Sequence, residues 1–199
     1  NVVRDWPEGA WYEFDRIYPF DSLGYKGPNF GWSKVPDQYT LEKLYRFELA
    51  KKGRSPLFAS VELGSSHSPW APLPELVDWK TLGDGAFYLD QKKQGQRKEE
   101  VWRNADTLGQ GYMRSLQYAL QVTFDFVARY GTKDTVVVYL GDHQPIPLVT
   151  GAKAGRDVPV TILSADPDVL DRAATWGWQP GLTPGAKAPV WSMNTFRDR

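Results

Sequence analysis

The chain is predicted to be an α/β protein with a mostly parallel or mixed central sheet flanked by helices, and three observations predict this. An unbroken β-branched and aromatic run, Thr135-Val136-Val137-Val138-Tyr139-Leu140, is too short for a helix and too apolar for a surface strand, so it reads as a strand covered on both faces. A long amphipathic segment, Ala105 to Tyr130, ends just before it. A second apolar run, Pro56 to Leu63, follows an earlier helical segment. Strand, helix and strand in that order make a βαβ unit with a right-handed crossover. In open sheets of this kind ligands sit beyond the carboxyl ends of the strands. There one run delivers Gly141, Asp142 and His143, and the other Gly64, Ser65, Ser66 and His67.

From the amino end, residues 1–33 mix Pro, Gly and aromatics without a sustained period and read as an irregular lead-in, with one short strand near Trp11 to Phe14. Pro36-Asp37-Gln38 opens a helix with Asp37 as N-cap; Leu41, Leu44, Tyr45 and Leu49 repeat at helical spacing, and Gly53 closes it. After the Pro56 to Leu63 strand, residues 71–103 are broken by Pro72, Pro74, Gly83 and Gly85, and the charged run Lys92 to Glu100 is a solvated loop or a short exposed helix. On the long helix, Tyr112, Leu116, Ala119, Leu120, Thr123, Phe124 and Val127 form an apolar stripe suited to packing on a sheet, and Gly131 ends it. Ile146 to Arg156 is a loop. Val158 to Leu163 is a strand that Pro159 places at an edge or a strand start. Asp166 caps a short helix with Pro167 in its first turn, ending near Ala174; residues 176–199 are an irregular tail. One domain spanning 1–199 is expected, and no internal repeat is visible.

The 199 residues carry 24 basic and 24 acidic side chains, mixed along the chain, so neither a nucleic-acid surface nor a basic membrane patch is expected. No apolar stretch approaches the roughly 20 residues needed to span a bilayer. The sequence opens on Asn1 rather than Met, which suggests a processed product or a piece of a longer protein. The absence of cysteine removes disulfides, thiol catalysis and thiolate metal sites. Nine tryptophans and ten tyrosines serve first as core anchors, with a sugar- or lipid-facing rim as the other use. The two histidines, His67 and His143, both follow apolar runs.

Asp142 alone also fits a turn or N-cap role, but Pro145 and Pro147 leave no helix promptly behind it to cap. Paired at a strand end, a carboxylate oxygen and an imidazole nitrogen suit zinc or manganese better than an all-oxygen calcium cage. Two donors do not complete such a site, and a transfer centre needs a nucleophile besides. His67 alone fits a loop histidine bonded to backbone; Ser65, Ser66 and Ser68 around it make a small polar pocket instead of a core.

Several features in order and spacing resemble the C-terminal half of the sulfatase and alkaline-phosphatase superfamily, most closely its lipoteichoic acid synthase and phosphoethanolamine transferase branch. They are Gly31-Trp32 with Pro36-Asp37 before the first helix, the apolar run ending in Ser66-His67-Ser68-Pro69-Trp70, Tyr112 on the long helix, and Gly141-Asp142-His143. The resemblance covers about Tyr25 to Leu163. It implies a large mixed sheet sandwiched by helices, Asp142 and His143 as metal ligands, and His67 as a contact to phosphate or sulfate oxygens. The Asp-His pair, where sulfatases usually carry Asp-Asn with calcium, implies phospho-transfer with manganese or zinc, magnesium and calcium being the alternatives. Nothing before Tyr25 resembles the part of the family that carries the nucleophile and first acidic ligand, so no catalytic nucleophile is assigned in this chain.

The expected function is therefore the C-terminal part of a metal-dependent phospho- or sulfo-ester hydrolase or transferase acting on cell-envelope substrates, inactive alone. Phosphoglycerol or phosphoethanolamine transfer is favoured over sulfate-ester hydrolysis. Its expected partners are an envelope lipid or glycan ester and the N-terminal half of the same protein, with an extracytoplasmic location and a membrane-anchored parent. The alternative is a non-catalytic envelope glycan- or polymer-binding module, with a silent relative used for interaction ranked below both.

Overall fold

A computed structural model describes residues 7–198, which contain both helices and strands, so the chain is mixed α/β. It divides into two compact units, one up to Tyr130 and one from Gly131. The first carries α1 (Asp37–Leu44), α2 (Tyr88–Gln94), α3 (Lys98–Val101) and α4 (Ala105–Tyr130), with 3-10 turns at Pro7–Tyr12, Phe20–Leu23 and Trp79–Thr81. The second carries β1 (Val136–Leu140), α5 (Pro147–Thr150), β2 (Val160–Ser164), α6 (Pro167–Ala174) and a 3-10 turn at Met193–Asp198.

The core of the first unit is aromatic. Tyr39 of α1, Tyr88 of α2, and Tyr118 and Val122 of α4 pack with Leu23, Phe30, Val35, Trp79 and Leu82. Tyr25 lies edge-on to Tyr39 at 4.9 Å between centroids, and Phe30 edge-on to Tyr88 at 5.7 Å, the geometry that aromatic quadrupoles favour. Tyr39, Tyr88 and Tyr118, with Trp70 and Trp79, thus serve as core anchors, while Trp11, Trp32 and Trp102 are exposed.

α1 begins at Asp37, but Asp37 is not its cap. Pro36 occupies the cap position and accepts from Thr40 N–H at 3.0 Å, while the Asp37 side chain turns away to another segment. Beyond Leu44 the helix widens into a π turn, Tyr45–Leu49, closed by Ala50 N–H to Tyr45 O at 2.8 Å. α4 spans the expected residues because Asn104 caps it: Asn104 Oδ1 accepts from Thr107 N–H at 2.9 Å, and Thr107 Oγ1 accepts from Asn104 N–H at 3.3 Å. Its buried stripe is Leu108, Gly111, Ser115, Tyr118, Ala119, Val122 and Thr123. That stripe is rotated from the predicted one, leaving Leu116, Leu120, Phe124 and Val127 only half-buried beside it. The charged run becomes the end of α2 and the short α3, in which Arg97 and Glu100 form a capping pair.

The sheet differs from expectation. Among the described residues it has two strands, β1 antiparallel to β2, with Val138 opposite Ile162. A parallel or mixed central sheet flanked by helices is not what these residues form. Pro56–Leu63 has no regular secondary structure and is largely exposed. β1 is not covered on both faces: Val136, Val138 and Leu140 are 49 %, 47 % and 44 % exposed. The physical reason is that a β-branched run encodes a preference for a pleated, covered setting without supplying the neighbouring strand or layer. The Asp166 cap is as expected, its Oδ1 accepting from Asp168 N–H at 2.9 Å ahead of α6, which packs against β2.

Two glycines of α4 test the packing of the first unit. A Cβ on Gly111 would collide with Val101 Cγ1 of α3, whereas a Cβ on Gly109 meets open space. Gly109→Ala should stabilise the unit by up to about 1 kcal/mol through helix propensity alone. Gly111→Ala should instead destabilise it by about 1–3 kcal/mol from overpacking. Thermal or urea unfolding of the pair measures both, and equal effects would show that α3 does not press on α4 at Gly111.

Candidate functional site

The turn that carries His67, Gly64–Trp70, is held from several sides. Asp37 Oδ1 accepts from the N–H groups of Gly64 at 2.9 Å and Ser65 at 3.1 Å. Gly64 O accepts from His67 N–H at 3.2 Å, and Ser66 O from Trp70 Nε1–H at 2.8 Å. Pro69 O accepts from Trp102 Nε1–H at 3.0 Å, and the Trp102 ring stacks on Trp70 with centroids 5.9 Å apart. Gly31, at φ 56°, lets its own turn lie against this one; a Cβ there would stand 3.1 Å from Pro69 Cδ.

His67 itself is exposed, and its ring stacks on exposed Trp32 at 4.2 Å between centroids. Nδ1 is 2.7 Å from Ser68 O. A carbonyl only accepts, so Nδ1 carries the proton and Nε2 is left outward: a lone pair in the neutral ring, a second donor in the imidazolium. An imidazole held this way offers Nε2–H to an anionic oxygen only when protonated.

Asp37 is fully buried. Burial pushes its carboxyl up to about 6, against the opposing pull of the Ser65 hydroxyl and of the Gly64 and Ser65 N–H groups. Around it lie Ser65, Tyr88 and Tyr118. Asp37 Oδ2, Ser65 Oγ, Tyr88 OH and Tyr118 OH are all buried outside good hydrogen-bond geometry. Burial raises the tyrosines, and the nearby Asp37 charge raises them further, so they remain neutral hydroxyls.

In the second unit, Asp142 and His143 follow β1 directly. Both side chains are open to solvent, 90 % and 71 % exposed, and Asp142 Oδ2 stands 3.6 Å from His143 Nε2. Asp142 Oδ1 accepts from His143 N–H at 3.0 Å, and His143 Nδ1 is 2.7 Å from Gln144 O. Nδ1 again carries a proton, and Nε2 faces Asp142. Two donors each about 2.0–2.2 Å from a tetrahedral zinc ion lie roughly 3.4 Å apart, so the pair is spaced to share one cation. Among the described residues no group of three or more His, Cys, Asp or Glu side chains gathers to hold a metal. The pair by itself is two donors, fewer than a tetrahedral ion requires. Gln144 steadies the turn by donating from Nε2 to Asp157 O.

Two residues near His67 were not given these roles by sequence reasoning. Asp37 carries a normal cap signal and reveals its true partners only in three dimensions; Trp32 is flagged only by its place beside Gly31. No known family, curated protein or solved structure matches this chain.

The buried carboxyl gives a pH signature. Its folded value, about 6, lies above its ordinary 3.8, so the fold prefers the protonated form. The stabilisation from protonation is fully present below about pH 4, falls as pH rises to about 6, and is absent above, by at most about 3 kcal/mol. Glu48, held down to about 2 chiefly by Lys51 and then by Tyr18, acts in the opposite sense at lower pH. The expected result is that urea midpoints of the native chain lose stability between pH 4 and 6 relative to Asp37→Asn, whose amide is isosteric with the protonated acid. Parallel curves would show Asp37 is not buried as a titrating acid.

Proposed function

We propose that this chain is the C-terminal part of a metal-dependent phospho- or sulfo-ester hydrolase or transferase acting on cell-envelope substrates, with phosphoglycerol or phosphoethanolamine transfer favoured. The observation that carries the reading is the spacing of Asp142 Oδ2 and His143 Nε2, 3.6 Å apart directly after a strand. These two side chains would hold a manganese or zinc ion, whose charge neutralises non-bridging ester oxygens. His67, in the first unit, would when protonated donate Nε2–H to an anionic oxygen, with Trp32 bracing the ring. The nucleophile and the remaining metal ligands come, in this reading, from the N-terminal half of the same protein, and this chain alone has no turnover.

Two further observations support a larger sheet, parallel or mixed, completed by that half. β1 and Pro56–Leu63 have the composition of interior strands yet are exposed, and α4 carries a second, half-buried apolar stripe. An extracytoplasmic location and a membrane-anchored parent follow from the substrate class. Among the described residues no helix is long and apolar enough to cross a membrane.

A second reading, an envelope glycan- or polymer-binding module, is favoured by one observation: Trp32 and Trp102 are exposed at the histidine turn. Such a module would keep its glycan affinity in Asp142→Ala.

Calorimetric titration of manganese and zinc into this chain should show weak binding. Asp142→Ala and His143→Ala should each lower affinity roughly 10-fold or more, the loss that even a supporting metal partner causes. The protein carrying the residues that precede Asn1 should bind much more tightly. Tight binding in neither form would sink the metal reading.

A further inference from the structure

A carboxylate in the first turn of a helix normally stays at the surface, where it favours the dipole without losing its water. Asp37 gives up that solvation, and what it gains is a grip on a segment far away in sequence: both of the N–H groups that open the histidine turn donate to its Oδ1. The Gly64 peptide is thereby fixed, and the carbonyl of Gly64 in turn receives the N–H of His67 at 3.2 Å. Beyond His67, Trp70 Nε1–H closes the turn on Ser66 O at 2.8 Å. The chain of contacts from α1 to the imidazole is continuous and short.

We propose that Asp37 is the positioning residue of the histidine turn: its buried carboxylate orients the Gly64 peptide and so sets the direction in which His67 offers Nε2 to an anionic oxygen. The inference rests on the reading of His67 as an anion contact. The groups facing the carboxyl are the Ser65 hydroxyl of the turn itself, the Tyr88 hydroxyl of α2 and the Tyr118 hydroxyl of α4. None of them is a cation, so the two backbone N–H groups carry the ionised form. Protonation falls on Oδ2, since Oδ1 is engaged, and gives that oxygen a proton to donate into the hydroxyl cluster. It also turns two charge-assisted hydrogen bonds into neutral ones, roughly half as strong. Acid therefore stabilises the unit as a whole while loosening the turn, and these opposite signs separate positioning from simple support of the fold.

The test is a pH titration of the chain followed by amide and indole NMR, with Trp70 assigned through Trp70→Phe. The expected result is one shared midpoint near 6 for the amides of Gly64, Ser65 and His67 and the indole N–H of Trp70, absent in Asp37→Asn. Movement of Gly64 and Ser65 alone, with His67 and Trp70 flat, would overturn the proposal. So would a shared inflection that persists in Asp37→Asn, which would belong to a group other than Asp37. Should Asp37→Asn fail to fold, Asp37→Ser serves as the second variant, and a shared midpoint near 6 that persists in it overturns the proposal equally. Inorganic phosphate added at pH 7 should shift the His67 ring proton, with affinity several-fold weaker in Asp37→Asn. No shift at His67 in the native chain, with the shared midpoint intact, would remove the anion reading of His67 and leave the positioning role supported.

Discussion

The first turn of α1 is the constraint on which the first unit depends. Its two opening side chains, Asp37 and Gln38, are both buried, and each ties down a separate loop by its backbone. Asp37 takes the N–H groups of Gly64 and Ser65, while the Gln38 amide pairs with Val77 in both directions, donating to Val77 O at 2.6 Å and accepting from Val77 N–H at 3.1 Å. A loop whose backbone groups are buried must find partners or lose about 1–3 kcal/mol for each. Supplying those partners from one helical turn lets irregular segments pack as tightly as regular ones. It also explains how a unit with no sheet among its described residues keeps an aromatic core closed: the loops are pinned at their amides, and the rings of Tyr39, Tyr88 and Tyr118 fill the space between.

That economy leaves a cost in the same place. The Asp37 carboxyl has one well-satisfied oxygen and one that faces neutral hydroxyls. Buried polar groups without ideal partners tend to persist where geometry matters more than stability. Here the geometry at stake is the turn that carries His67, stacked on Trp32 and backed by the Trp70–Trp102 pair.

Local signals were legible in the sequence and non-local ones were not. α4 is bounded as predicted because a cap and a glycine sit at its two ends, and α6 because Asp166 and Pro167 specify its start. The role of Asp37 was misread as capping because its partners lie 27 and 28 residues away, where no local rule reaches. Pro56–Leu63 and β1 were read as interior strands from composition, which states what surroundings a segment would suit, not whether they are present. The buried stripe of α4 was displaced for a related reason: the helix is apolar over a wide arc, and packing against α1 and α3 selects which part is covered. Of the site, the three residues singled out from sequence stand where turns present them to solvent, but their roles depend on neighbours that periodicity does not name.

The two histidines share one local device and differ in what surrounds it. In each, Nδ1–H is spent on the carbonyl of the following residue, Ser68 or Gln144, at 2.7 Å, which fixes the ring and leaves Nε2 outward. An imidazole oriented through its other nitrogen is the arrangement that metal ligands and proton-bearing groups both require. At His143 the free nitrogen faces a carboxylate oxygen at 3.6 Å, so a cation placed between them meets two donors. At His67 the ring lies on the face of the Trp32 indole with centroids 4.2 Å apart. One backbone geometry, set by a carbonyl one residue ahead, thus orients both rings, beside an acid at His143 and beside an aromatic ring at His67.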